Sequence, residues 1–207
     1  MLPWFIGSAQ VAGAPAAFLA INAGGFVSGV QRFDAFYRSR MAFSYGATLG
    51  IPAQDHLYLL AKFTHFSRSG VVITGMSNFN GEPIPTPQLV TGRLDVSQWI
   101  FNFGGLREVF TSEEIGLALD GGLTYSSFST FATDYTPGNT VPPAPVADHR
   151  MLGIFAGLVL EHRFAESQLS LIADVQYNQL WPITSPHVPT YGGLNASGGI
   201  RFYLEHR

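Results

Sequence analysis

Apolar and polar residues alternate one by one through eight segments of this chain. In the last segment, LNASGGIRFYL, the apolar residues Ile200, Phe202 and Leu204 fall on one face, whereas Arg201 and Tyr203 fall on the other. Successive side chains of a β-strand point to opposite faces, so each segment has one apolar and one polar face. Each segment is about ten residues long, which is what a tilted strand needs to cross the hydrocarbon layer. The alternation therefore predicts membrane-crossing strands.

The composition favours a membrane barrel over a soluble β-sandwich, which would show the same alternation. Charged residues make up 12% of the 207 residues, about half the share of a typical soluble domain. The polar faces carry mostly Gly, Ser, Thr and Asn, which suit a narrow enclosed space better than bulk water. No run approaches the roughly eighteen apolar residues of a membrane helix. The net charge of −3 gives no basic surface for nucleic acid, and the absence of cysteine excludes disulfides and thiolate sites.

We predict an all-β fold, an eight-stranded antiparallel transmembrane β-barrel built as an up-and-down meander. It covers residues 18–207 and follows a periplasmic N-terminal segment at 1–17. The predicted strands are 18–31, 41–51, 56–67, 94–104, 115–127, 151–163, 168–180 and 193–204. The first and last strands should pair, because an unpaired edge in lipid leaves backbone groups unsatisfied.

The lengths of the predicted connections alternate. Short connections at 52–55, 105–114 and 163–168 interleave with longer ones at 31–40, 67–93, 127–150 and 181–191. Successive connections of a meander lie at opposite ends of the barrel. The pattern therefore predicts short turns and both termini on the periplasmic side, and long loops outside.

The chain also resembles a known protein family. Residues 18–204 resemble the eight-stranded OmpA/OmpX-type outer-membrane barrels of the porin family. The last segment is similar to the C-terminal assembly signal of that family, with polar Ser197, then Gly199, aromatic Phe202 and apolar Leu204 at the expected offsets. The chain departs from the family by three further residues, where the family commonly ends on an aromatic. The resemblance implies a Gram-negative outer-membrane location, contact with outer-membrane lipid, and recognition of the last strand by the barrel-assembly machinery.

Five charged residues lie at least two positions inside the ends of the predicted strands, and all five have the parity of the inward face: Lys62, Asp120, Glu161, Asp174 and Arg201. A charge that faced hydrocarbon near the midplane would cost roughly 2–4 kcal/mol. We expect two interior groups, Lys62 with one or both aspartates and Arg201 with Glu161. Eight strands leave an interior just wide enough for side chains, so we expect a filled lumen. A narrow channel for ions or small solutes is the alternative.

Large and small inward residues should also pack together, because small barrels often alternate them. We expect the inward glycines to make room for Phe26, Phe155 and Tyr203. Aromatic side chains should form belts at the two membrane interfaces. We expect Tyr125, Tyr177, Trp181 and Tyr191 at the external interface. We expect Phe18, Phe103, Phe164 and Phe202 at the periplasmic interface.

One short motif permits an enzymatic interpretation. His65 and Ser67, with Glu82 further on, are superficially similar to the His-x-Ser pair and carboxylate of some outer-membrane lipid A deacylases. The two Cα atoms would be about 6.6 Å apart along a strand, and a nucleophile needs its base within hydrogen-bonding reach. We therefore expect no catalytic residues. The scattered histidines and the absence of a phosphate-binding loop predict no metal and no cofactor.

The long loops are rich in proline, with ten of the thirteen prolines in three of them. These are Pro83, Pro85, Pro87, Pro137, Pro142, Pro143, Pro145, Pro182, Pro186 and Pro189, accompanied by the apolar Phe79, Ile84, Phe131 and Tyr135. Proline favours extended, semi-rigid segments, which lose less entropy when they dock. The loops are either variable connections or a surface for a protein partner. We expect a non-enzymatic scaffold, envelope component or binding subunit, with a channel and then a lipid-modifying enzyme as alternatives.

Overall fold

The structure is a computed structural model that describes residues 16–29, 37, 39–75, 90–134, 144–165, 167–183 and 191–204. Within these residues the chain forms eight strands. They are β1 Ala17–Ser28, β2 Met41–Gln54, β3 Leu57–Gly75, β4 Val90–Thr111, β5 Ile115–Asp134, β6 Ala144–Arg163, β7 Leu169–Pro182 and β8 Tyr191–Leu204. Each strand pairs antiparallel with the next, and β1 also pairs with β8, from Ala17↔Leu204 to Ser28↔Gly193. This closed up-and-down barrel confirms the predicted fold class and the predicted closure.

Four consecutive strands run farther than the sequence predicts. β3 continues to Gly75 and β5 to Asp134, while β4 already begins at Val90 and β6 at Ala144. Pro145 and Phe131, both predicted in a loop, are strand residues paired with each other next to a register shift. A register shift can accommodate proline, because the ladder is interrupted there and the missing N–H of proline leaves no hydrogen bond unmade. The predicted loops 67–93 and 127–150 are therefore too long.

The predicted connection at 105–114 is also mostly strand, because β4 ends at Thr111 and β5 starts at Ile115. A bulge between Glu108 and Phe110 shifts the β4–β5 register in this stretch. The bulge breaks the simple alternation, so both Val109 and Phe110 are exposed. The broken period is the reason that the sequence pattern suggested a connection here.

The two ends of the barrel differ. One end of the barrel, which we call the turn end, carries Ala17, Leu204 and the connections 55–56, 112–114 and 164–168. We call the opposite end the loop end. There β3, β4, β5 and β6 extend farther than β2 and β7, the strands beside this group. At the turn end His56 has a φ of 60°, a left-handed conformation for which His is enriched among non-glycine residues.

Large apolar side chains cover the outward face of the barrel. Those more than half exposed include Ile21, Met41, Phe43, Leu59, Phe103, Leu119, Leu123, Leu152 and Ile154. Soluble monomers rarely expose contiguous apolar patches of more than a few hundred Å². This outward face is therefore suited to apolar surroundings. Among the described residues no helix is both long and apolar enough to cross a membrane.

Aromatic residues mark the place where the outward face turns polar near the loop end. Tyr125 is followed on the same face by Ser127, although β5 itself continues. Tyr177 donates a hydrogen bond to Gln179 Oε1 at 2.7 Å, and Trp181 is exposed. The side chain of Tyr191 lies outside the described residues. Tyr45 and Trp99 are also exposed near this boundary, and the sequence analysis omitted them.

Two of the predicted turn-end belt residues are misplaced. Phe18 is fully buried inside the barrel, since its parity in β1 is that of the inward Ala20. Phe103 faces outward but lies well before the end of β4 at Thr111. Phe164 and Phe202 are exposed at the turn end, as a belt there requires.

Two clusters of buried apolar side chains fill the barrel near its ends. The loop-end cluster contains Phe26, Tyr37, Ala42, Phe66, Val96, Ile100, Phe128, Met151 and Leu180. The turn-end cluster contains Phe18, Ala20, Tyr58, Leu60, Leu106, Ala118, Val159 and Ile172. In the first, the rings of Phe26 and Phe66 stack at 4.3 Å between centroids. Aromatic rings thus occupy part of the interior near both ends of the barrel.

Glycines provide the room that these rings occupy. A Cβ at Gly193 would overlap the ring of Phe26, and a Cβ at Gly50 would overlap the ring of Phe18. The first agrees with the expectation that glycine makes room for Phe26, and the second involves a ring that the sequence analysis had placed outside. Glycine at these positions is therefore a packing requirement.

Gly153→Ala should destabilise the barrel, because its Cβ would overlap the backbone carbonyl oxygen of Gln179 and lie 3.0 Å from Leu180 Cα. We expect a loss of about 1–3 kcal/mol in the free energy of unfolding, measured by urea titration in lipid vesicles. The matched control is Gly198→Ala on the outward face, where the nearest atom is at 3.7 Å. Equal effects of the two substitutions would contradict the packing argument.

Candidate functional site

The five charged residues predicted to face inward are all buried in the barrel. None of them is more than 6% exposed: Lys62, Asp120, Glu161, Asp174 and Arg201. Each has at least one outward apolar neighbour on its strand, and the period of two carries the charge itself inside. The structure brings these residues together in two groups.

The first group is a triad. Lys62 Nζ on β3 lies 2.6 Å from Asp120 Oδ2 on β5 and 2.6 Å from Asp174 Oδ2 on β7. We call these residues the Lys62 triad. One ammonium group thus bridges two carboxylates across the lumen, and the triad carries one more negative than positive charge if all three are ionised. Both contacts are short, charge-assisted hydrogen bonds.

The second group is centred on Glu161 of β6. Arg201 Nη1 lies 2.9 Å from Glu161 Oε2. Ser170 Oγ and the Tyr203 hydroxyl donate to Glu161 Oε1 at 2.5 and 2.6 Å. The Arg201 guanidinium also lies over the ring of Phe18, 4.1 Å from its centroid, within cation–π range. We call this set the Glu161 network.

Three residues that the sequence analysis left out extend the Glu161 network to the turn end. Arg163 Nη2 lies 3.4 Å from Glu161 Oε2 and 3.0 Å from Glu108 Oε1. Glu108 Oε2 lies 3.1 Å from Nδ1 of His56, whose side chain is 64% exposed. For Arg163 the signal was its parity with Glu161 on β6; Glu108 was assigned to a connection because of the bulge in β4, and His56 lies in a turn.

Neutral polar side chains fill the lumen between the Lys62 triad and the loop-end cluster. Ser44 Oγ donates to Asn195 Oδ1 at 2.8 Å, and Thr124 Oγ1 donates to Asn102 Oδ1 at 2.6 Å. Gln98 Nε2 donates to Ser126 Oγ at 2.8 Å. Buried polar groups require such partners, since an unpaired one costs about 1–3 kcal/mol.

The loop-end cluster is tied to the connection between β1 and β2. Arg68 Nε donates to the Tyr37 carbonyl oxygen at 3.1 Å, and Arg68 Nη1 donates to the Met41 carbonyl oxygen. Burial, and then the negative charge of Asp95, raise the pKa of Tyr37 to about 12. The Tyr37 phenol is therefore neutral at physiological pH, as its place in an apolar cluster requires.

The proposed deacylase-like pair does not form. His65 Nε2 lies 3.1 Å from Ser97 Oγ on β4, so His65 contacts a different serine from the predicted Ser67. His65 Nδ1 is buried with no partner among the described residues, so the third group that orients a catalytic histidine is not seen there. Glu82 lies outside the described residues. The His65 ring instead packs between Tyr45 and Trp99.

The four residues of the predicted assembly signal lie on β8. Phe202 and Leu204 point outward and are exposed, while Ser197 Oγ accepts a hydrogen bond from Asn22 Nδ2 at 3.2 Å. A Cβ at Gly199 would overlap the carbonyl oxygen of Ile21. Their role in assembly stays a prediction.

The described residues contain no group of His, Asp and Glu side chains that could hold a metal ion.

The sequence and the structure of this chain were compared with those of known proteins. No protein-family model matches the chain, and no curated protein matches its sequence. The structure is similar to that of Neisserial surface protein A, at 13% identity and a TM-score of 0.54, over 91% of this chain and 97% of that one. It is also similar to a major outer membrane protein from Thermus thermophilus, at 12% identity and a TM-score of 0.57, over 91% and 100% of the two chains. The chain thus has the fold of the outer-membrane β-barrels.

The Arg201–Glu161 ion pair should couple the stability effects of its members. Removing Arg201 leaves Glu161 with only the more distant Arg163, and removing Glu161 takes from Arg201 its ion pair at 2.9 Å. Loss of the partner of a buried charge costs up to about 3–5 kcal/mol, whereas removing both charges avoids this cost. We expect the Arg201→Met and Glu161→Gln double variant to lose clearly less unfolding free energy in lipid vesicles than the sum of the single losses. Arg107, exposed on β4, is the control, and Arg107→Met with Glu161→Gln should be additive. Additivity at Arg201 would mean that the pair does not form.

Proposed function

We propose that the protein is an integral outer-membrane barrel, non-enzymatic and non-conducting, that serves as an envelope scaffold or binding subunit. The observation that carries the proposal is the filled interior, in which two apolar clusters and buried polar and charged side chains occupy the lumen. An aqueous channel needs a continuous polar bore, which eight strands are too few to provide. The runner-up is a narrow channel, which would require these side chains to move.

The outward face supports insertion into lipid. Its exposed Leu, Ile, Val and Phe side chains match a hydrocarbon surrounding, and the pairing of β1 with β8 leaves no open edge there. The short connections and the chain positions 17 and 204 lie at the turn end, which supports a periplasmic turn end. The lipid of the outer membrane is then the main partner, and β8 is the strand that the barrel-assembly machinery would recognise.

The loop end supports a role in binding a partner. β3, β4, β5 and β6 project beyond the other strands, and by sequence the connections between β3 and β4 and between β5 and β6 are rich in proline. Proline fixes φ, so a proline-rich segment has less conformational entropy to lose when it docks on a partner. A protein at the outer surface of the cell is the partner that this arrangement fits.

Single-channel recording in planar bilayers tests the filled lumen. We expect the reconstituted barrel to give no steady conductance steps, because the loop-end and turn-end clusters block the bore. An open porin in the same bilayer provides the positive control, and circular dichroism of the reconstituted sample shows that the barrel is folded. Reproducible conductance steps from the folded protein would favour the channel.

The non-enzymatic proposal has its own test. We expect no change in the mass of lipid A when the protein is produced in a host outer membrane, because the histidine–serine contact lacks an orienting carboxylate among the described residues. Ser67→Ala and Ser97→Ala separate the two serines. A mass change that either substitution abolishes would show that the protein modifies lipid.

A further inference from the structure

A small cavity lies between the two charged groups of the lumen. Its volume is about 10 Å³, which is close to the space that one water molecule needs. Lys62, Asp120 and Asp174 line it together with Arg201, and apolar side chains such as Leu60 and Val159 complete its wall. The cavity therefore joins the Lys62 triad to the Glu161 network.

Three buried polar atoms of the residues that line this cavity have no partner within the described protein. They are Oδ1 of Asp120, Oδ1 of Asp174 and Nε of Arg201. The three residues are at most 6% exposed. Neighbouring atoms of the same groups are engaged: Oδ2 of each aspartate accepts a hydrogen bond from Lys62 Nζ, and Arg201 Nη1 contacts Glu161. The set comprises two acceptors and one donor.

We propose that this cavity is a binding site for a single water molecule. A water has two hydrogens to donate and accepts through its oxygen, so it can donate to Asp120 Oδ1 and Asp174 Oδ1 and accept from Arg201 Nε–H. One water placed within reach of the three atoms would satisfy all of them. A sodium ion could not accept from Arg201 and would face two cations. An anion would face two carboxylates.

The bound water connects two networks that otherwise lack a direct hydrogen bond. From the Lys62 triad, hydrogen bonds run through the water to Arg201 and on to Glu161. From Glu161 they continue through Arg163 and Glu108 to the exposed His56 at the turn end. The deepest charges of the lumen are thereby linked to the solvent at the turn end of the barrel.

Nuclear Overhauser effects between water and protein in detergent micelles test the site. We expect long-lived cross-peaks from water to the methyl groups of Ala20 and Val159, which both line the cavity. Val159→Ile adds a methylene group that fills the space and should remove the cross-peak to Ala20. The matched control is Val175→Ile on the outward face, which should leave that peak unchanged.

The outcomes separate the possible occupants. Cross-peaks in the unaltered protein and in Val175→Ile, with loss in Val159→Ile, support the water site. Absence of long-lived cross-peaks in the unaltered protein overturns it, and this result needs no variant to fold. A midpoint of urea unfolding that is higher in sodium chloride than in choline chloride, with the difference abolished by Asp120→Asn, would show a bound cation and also overturn it.

Discussion

Backbone hydrogen bonding in apolar surroundings is the constraint on which this structure depends. Every N–H and C=O of a strand that faces hydrocarbon needs a partner within the protein, and an open sheet cannot supply one along its edges. Pairing of β1 with β8 along its whole length, from Ala17 to Ser28, removes both edges. Closure with eight strands in turn sets the width of the bore. One requirement thus produces both the closed wall and the narrow interior.

The narrow interior then determines how its residues are arranged. Bulk water does not reach the middle of such a bore, so an inward charge must find its partner among the other inward side chains. Lys62 does so by contacting carboxylates from two other strands. Space is equally limited, since a Cβ at Gly157 would overlap Asp120 Oδ1. The carboxylate thus occupies the space that the missing side chain leaves. Charge pairing and glycine placement are two consequences of the same confinement.

The sequence could predict the direction of each side chain better than its partners. A period of two places Lys62 and Arg201 inside without any knowledge of the neighbouring strands. Shear between strands decides that His65 meets Ser97 rather than Ser67, and no short-range pattern encodes shear. The strand ends were missed because pairing continues where the outward face has become polar, as it does beyond Ser127. Phe18 was misplaced because its aromatic character at a strand end was given more weight than its parity.

The low identity to the matching structures follows from the same physics. Closure and alternation restrict each position only to a class of side chain, apolar outside and small or polar inside, so many sequences satisfy them. Identities of 12–13% are therefore compatible with a shared fold over 91% of the chain. These requirements do not determine which side chains pair inside the lumen, nor the residues of the strands that project at the loop end. Differences in function between such barrels should consequently arise at those two places, since a change there leaves the closed hydrogen-bonded wall intact.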